Sequence, residues 1–181
     1  MPQDRKTGTA HADRLVYAQP KGCHLAELNI ATARANLDDP AMAGFMTALD
    51  AVNATAERSP GFVWRLKDES GNATGFKRDG DPREISNLSV WECAEDLEFY
   101  IWNTVHRRFM NDRQKWFVPP KKIYFVMWWV KVGAVPTLDE ALARLEHLRA
   151  HGPSAHAFGW NNLAGTRAWQ SAGAPPVPMQ E

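Results

Sequence analysis

Residues Trp91–Val132 read WECAEDLEFYIWNTVHRRFMNDRQKWFVPPKKIYFVMWWVKV, and how this stretch folds decides the architecture. Glu95 and Asp96 suit the positive end of a helix dipole, and the pattern predicts one helix from Glu95 to about Arg113. A strand is expected over Ile123–Val132. Ile123, Phe125, Met127 and Trp129 fall on one of its faces, and Tyr124, Val126, Trp128 and Val130 on the other. A strand apolar on both faces is covered on both. With so few helices in the chain, the expected second cover is a sheet from a second copy, hence a homodimer.

Upstream, Cys23–Ala31 predicts a strand, with His24, Ala26, Leu28 and Ile30 on one face and Leu25, Glu27 and Asn29 on the other. Asp38-Asp39-Pro40 predicts a helix start, with an Asp cap before Pro at the first helical position. Phe45, Leu49, Val52 and Ala56 make its apolar stripe through Glu57. After Ser59-Pro60-Gly61, a short strand Phe62–Leu66 should place Phe62, Trp64 and Leu66 together. The polar segment Lys67–Glu84 reads as a mobile loop. Ile85–Cys93 is the third strand, with Leu88 and Val90 opposite Asn87, Ser89 and Trp91. Downstream, Thr137-Leu-Asp-Glu140 is a capping box. It opens a Leu-striped helix that stops at His151-Gly152-Pro153. Residues 1–21 read as a flexible tail, 22–162 as the domain and 163–181 as a loose C-terminal tail. The resulting order is β-α-β-β-α-β-α. Helices on one face of a largely antiparallel sheet make an α+β, ferredoxin-like βαββαβ fold with an extra C-terminal helix.

Composition narrows the function. The 21 basic and 21 acidic side chains leave no net charge, which argues against a nucleic-acid partner. The longest apolar run, Ile123–Val130, is too short to span a bilayer. Residues 1–14 lack the apolar core of a signal peptide, so a cytoplasmic protein is expected, with no membrane partner. Cys23 and Cys93 lack metal-type spacing and read as buried thiols.

The chemistry centres on the predicted second helix. At roughly 100° per residue, Leu97, Ile101, Val105, Phe109 and Trp102 form an apolar arc that Phe99, His106, Met110 and Arg113 extend. So wide an arc meets a second surface: a partner, a loop or a bound molecule. His106 reads either as a group facing an aromatic pocket or as a core histidine satisfied by a backbone carbonyl or a carboxylate. In the first case it serves as general base, oxyanion donor or haem ligand, since an ordinary pKa of about 6.5 suits all three. Arg107, Arg108 and Arg113 could hold an anion or could pair with Asp112, Glu95 or Glu98. Trp64, Trp91, Trp102, Trp116, Trp128 and Trp129 could wall a cavity or fill a core. His147 and His151, at i and i+4, lack a third metal ligand unless His156 folds back, and no metal is expected. Nucleophile elbow, phosphate-cradling loop, CxxC and dinucleotide fingerprint are all missing from the sequence.

Several motifs carry a family resemblance: Leu28-Asn-Ile-Ala31, Ser59-Pro-Gly-Phe-Val-Trp-Arg-Leu66, Leu88-Ser-Val-Trp-Glu92, His106-Arg107, Trp116-Phe117, Trp128-Trp-Val130, Pro136-Thr137 and His151-Gly-Pro153 followed by Ala157-Phe158. Together, over about residues 23–160, the chain resembles the DUF3291 family of the dimeric α+β barrel superfamily. The family pattern carries Gly-His before its Pro-Thr, whereas Gly133 is followed here by Ala134 and Val135, so that histidine has no counterpart. The superfamily includes cofactor-free quinol monooxygenases, polyketide cyclases and haem-dependent enzymes, several with a helix histidine in a pocket between helices and sheet. The resemblance therefore implies a small-molecule, biosynthesis-type enzyme acting on an apolar aromatic or polyketide-like substrate by oxygenation, cyclisation or related proton transfer. It needs no cofactor. His106 would be its acid or base, Asn29 and Arg107 would orient polar groups, and Trp64, Trp91, Trp102, Phe99, Met110 and Arg113 would contact substrate. Two alternatives stay open: haem binding through His106, and a non-catalytic ligand-binding or accessory dimer.

Overall fold

The computed structural model describes residues 15–76 and 81–164. The expected tails up to residue 14 and from 165, and part of the expected mobile loop (77–80), lie outside the described residues. Four strands, β1 (Cys23–Thr32), β2 (Phe62–Arg65), β3 (Glu84–Trp91) and β4 (Phe125–Lys131), form one antiparallel sheet in the order β2-β3-β1-β4. This is the ferredoxin-like order. The helices are α1 (Ala43–Arg58), α2 (Ala94–Asn103), α3 (His106–Trp116) and α4 (Leu138–His151). Among the described residues no helix is long and apolar enough to cross a membrane.

Local chemistry sets most boundaries where the sequence places them. The Asp39 carboxylate accepts the Ala41 N–H at 2.8 Å and starts a 3-10 turn, Pro40–Met42, that leads into α1. Thr137 Oγ1 accepts the Glu140 N–H at 3.2 Å to open α4, and Gly152 closes it with φ +74°.

Four expectations change. The single helix expected from Glu95 to Arg113 is two. Thr104 is extended (φ −119°, ψ −175°), and its hydroxyl donates to the Tyr100 carbonyl at 2.6 Å while accepting the His106 N–H at 3.2 Å. A threonine hydroxyl competes with the backbone ladder, and here it ends α2 and starts α3.

The second correction concerns β2. A bulge between Phe62 and Trp64 sets Phe62 opposite Trp91 and Trp64 opposite Val90. The extra residue reverses the alternation, so Phe62 and Trp64 face opposite sides of the sheet.

The third concerns the helices, which do not share one face. Ala26, Leu28, Leu88, Val90, Val126, Trp128 and Val130 pack with Ala141, Leu145 and Leu148 of α4. On the other face, Leu25, Trp91 and Met127 pack with Ala56 of α1, Leu97 and Tyr100 of α2, and Phe158. The second cover of β4 is α4 of the same chain, so a partner's sheet is not required to bury that strand.

Fourth, residues 15–20, expected to belong to a tail, are docked. The Tyr17 ring stacks on Phe158 at 5.3 Å, and its N–H donates to the Asn162 carbonyl at 2.7 Å.

Candidate active site

Side chains alternate along a strand, so the two central strands present one face to α4 and the other to α1, α2 and α3. On the second face β1 carries Glu27 and Asn29, and β3 carries Asn87 and Ser89, which pair directly across the sheet as Glu27 with Ser89 and Asn29 with Asn87. These four polar residues floor a cavity of about 830 Å³ between the sheet and the helices. Its walls include Trp91, Tyr100, His106, Phe109, Met110, Arg113 and Trp116. The volume falls within the range of small-molecule sites.

The floor is wired toward one carboxylate. Trp91 Nε1 donates to Ser89 Oγ at 2.9 Å, and Ser89 Oγ donates to Glu27 Oε1 at 2.5 Å. Asn87 Nδ2 donates to Asn29 Oδ1 at 3.1 Å, and Asn29 Nδ2 donates to Glu27 Oε2 at 3.3 Å. Every donor in both arms points to Glu27, which is 5% exposed. Burial pushes the carboxyl up from 4.5 to about 7, against the lowering effect of the Ser89 and Asn29 hydrogen bonds. Glu27 therefore stands between its acid and its anion near neutral pH.

The wall is built differently. Phe62 meets Trp91 edge-on at 5.4 Å, Trp91 stacks on Tyr100 at 5.1 Å, and Tyr100 lies 4.8 Å from the His106 ring. Burial pushes the Tyr100 phenol up, and the Glu27 charge adds to that shift. His106 is the first residue of α3, and its Nδ1 is buried without a hydrogen-bond partner among the described residues. Burial brings its imidazole down from 6.5 to about 4, only partly offset by the Ile101 backbone. It is neutral throughout the range where Glu27 titrates.

Of the residues singled out in the sequence, His106, Asn29, Trp91, Trp116, Phe109, Met110 and Arg113 line the cavity. On α3, His106, Phe109, Met110 and Arg113 share the helical spacing i, i+3, i+4, i+7. Arg107 is exposed, Phe99 is 46% exposed, and Trp102 is absent from the lining, because the break at Thr104 removes α2 from the phase of α3. Trp64 packs with the α4 face instead, because of the β2 bulge. Glu27, Ser89, Asn87 and Tyr100 were not singled out. Their signal was the shared polar face of the two central strands.

Other groups are less suited to chemistry. The Cys93 thiol donates to Asp96 Oδ2 at 3.0 Å and is pushed up to about 12, chiefly by burial, so it is no thiolate nucleophile. His156 does fold back, with its ring 4.9 Å from that of His147, which lies 4.8 Å from His151. Yet among the described residues no group of three His, Cys, Asp or Glu could hold a metal. The cluster is bordered by Ser154 Oγ, 3.4 Å from His147 Nε2, and by Arg144 Nη1, 3.2 Å from His156 Nδ1.

Residues 24–173 match the family described as Domain of unknown function (DUF3291). This chain belongs to the DUF3291 family. The match runs from the second residue of β1 past the end of α4, and so takes in every floor and wall residue of the cavity named above. No curated protein matches the sequence. Among solved structures, the DUF3291 chain is similar to SnoaB, a cofactor-independent oxygenase from Streptomyces nogalater, at 17% identity and a TM-score of 0.40, over 65% of this chain and 99% of that one. It is similar to NE2512, a protein of unknown function from Nitrosomonas europaea, at 13% identity and a TM-score of 0.41, over 65% of this chain and 97% of that one.

Proposed function

We propose that the cavity between the sheet and α1–α3 is the active site of a small-molecule enzyme that removes a proton from an apolar aromatic or polyketide-like substrate. The observation that carries this reading is Glu27: a carboxylate on an apolar cavity's floor, fed by two donor arms and held at about 7. Such a group is a general base matched to neutral pH. In the step, a Glu27 oxygen takes the proton of an acidic C–H or O–H bond, and the bonding electrons stay on the substrate as a delocalised anion. Cyclisation and oxygenation both can begin from that anion. Oxygenation would then consume dioxygen.

His106 acts here as a neutral hydrogen-bonding group, not as the acid or base. Its unpartnered Nδ1 is available to a polar group of the substrate, such as a hydroxyl. Asn29 and Ser89 hold the Glu27 carboxylate in place. Arg107, exposed on the outer side of α3, has no part in this scheme. The homodimer that the resemblance implies belongs to this reading, and light scattering at micromolar concentration checks it.

Anthrone, an aromatic carbon acid, tests the step. Deuterium exchange at its acidic carbon, followed by NMR without oxygen, should be accelerated by the protein with an apparent pKa of about 7, and the acceleration should vanish in Glu27→Gln. No acceleration by the wild type, or acceleration retained in Glu27→Gln, contradicts the proposal. The same buried nitrogen of His106 favours haem as a second reading. Titration with hemin decides it: a Soret band lost in His106→Phe supports haem, and a spectrum of free hemin removes it.

A further inference from the structure

We infer that the cavity takes an elongated aromatic ligand bearing an anionic, carboxylate-type group, which Arg113 binds at the open end with help from Lys121 and Lys122. This rests on the cavity being a ligand site, and names what it binds.

The strand register gives the cavity two ends. Glu27, Ser89, Trp91, Tyr100 and His106 cluster at one of them. Toward the other end, α3 and the chain after it meet the far end of β1. The Arg34 N–H donates to the Trp116 carbonyl at 2.8 Å, and the Val118 N–H donates to the Thr32 carbonyl at 2.9 Å. Thr32 lies five residues along β1 from Glu27, roughly 16 Å of strand. Arg113 lies seven residues along α3 from His106, about 10 Å of helix. Phe109 and Met110 line the wall between. A ligand reaching from Glu27 to Arg113 is therefore long, flat-walled and apolar in its middle.

The charges at the open end are unbalanced. Arg83 and Arg149, also on the lining, are paired to Asp81 at 2.6 Å and to Glu146 at 2.7 Å. Glu84 has a partner of its own. Arg113, Lys121 and Lys122 line the cavity but make no salt bridge among the described residues. Arg113 is moreover half-buried. A half-buried guanidinium normally finds a carboxylate, because its forked donors are costly to desolvate unpaired. Among the described residues no carboxylate pairs with it. An anion on the ligand would complete the pairing, and it would fix which end of the ligand reaches Glu27.

The test is calorimetric titration of the full chain with 2-naphthoate and its uncharged isostere 2-naphthamide. The expected result is that 2-naphthoate binds at least about tenfold more tightly, as a charge-assisted hydrogen bond implies, and that added salt weakens only the carboxylate. Arg113→Met, which keeps an apolar stem, should erase the preference and leave 2-naphthamide binding unchanged. Because Arg113→Met could disturb α3, the double substitution Lys121→Ala with Lys122→Ala at exposed positions provides a second arm and should reduce the preference. Equal affinity for the two probes in the wild type overturns the inference, as do a preference that survives both variants and a failure of either probe to bind. If the anthrone experiment fails while the preference for 2-naphthoate holds, the ligand class stands and the catalytic reading falls.

Discussion

The two faces of one sheet are built from neighbouring residues of the same strands, and they end up as opposites. Toward α4, Ala26, Leu28, Leu88, Val90, Val126 and Trp128 close into a core with Leu145 and Leu148. One position along, Glu27, Asn29, Asn87 and Ser89 face an open cavity. The α4 face carries stability, because close-packed apolar side chains leave nothing for a ligand to do. The α1–α3 face gives up that packing for a buried, hydrogen-bonded carboxylate whose ionisation opposes folding.

If that division is right, Glu27→Gln should lower any proton-transfer activity by roughly 10²–10⁴-fold in an initial-rate assay while the chain stays folded by circular dichroism. Activity within a few fold of wild type would erase the distinction between the faces. The converse substitution is Leu145→Ala, on a fully buried residue of α4. It should cost about 2–5 kcal/mol in urea unfolding and leave 2-naphthoate affinity unchanged. Met110→Ala, beside the cavity void, should cost clearly less.

The pH dependence of stability sharpens the same contrast within the cavity. Folding raises the Glu27 pKa from 4.5 to about 7, so its contribution is fully present below 4.5 and is lost as pH rises toward 7. Folding lowers the His106 pKa from 6.5 to about 4, so its contribution is fully present above 6.5 and is lost as pH falls toward 4. Each shift corresponds to roughly 3 kcal/mol, and the slopes oppose one another between the two ordinary pKa values. In urea titrations across pH, Glu27→Gln should remove the loss on the alkaline side and His106→Phe the loss on the acid side. His106→Phe should also be neutral or stabilising at pH 7, since it deletes a buried, unpartnered nitrogen.

The smallest effect expected is that of Ser89→Ala. Losing its hydrogen bond to Glu27 removes a lowering influence, so the activity limb should move to higher pH, with about 1–2 kcal/mol lost at pH above 7. An unmoved limb would mean that the Ser89 arm does not act on the carboxylate.

The strands, α1 and α4 were legible in the sequence because period, Asp39, Thr137 and Gly152 each act locally. Three features were not. The α2–α3 break hides because the apolar spacing runs on through Thr104, and only its hydroxyl bonds to Tyr100 and His106 interrupt the helix. The β2 bulge leaves no mark in the alternation of Phe62, Trp64 and Leu66. Which face α4 covers is a matter of tertiary packing. His106 was found from its aromatic neighbours, but its burial, which takes the imidazole from the ordinary 6.5 down to about 4, is set by tertiary packing and leaves no mark in the sequence. Glu27 was visible as a polar residue on an alternating strand. Its meaning appears only when β3 is laid beside β1, so that Ser89 and Asn87 fall against Glu27 and Asn29. A polar patch shared by two central strands, on a face that helices cover, is the sign that the single-strand reading missed.

The most direct measurement is a carbon NMR titration of the Glu27 side-chain carboxyl, identified by its loss in Glu27→Gln. The account predicts a midpoint of about 7, moving higher in Ser89→Ala. A midpoint at the ordinary 4.5 would mean that water reaches the carboxylate freely, and the cavity floor would then be only a solvated face of the sheet.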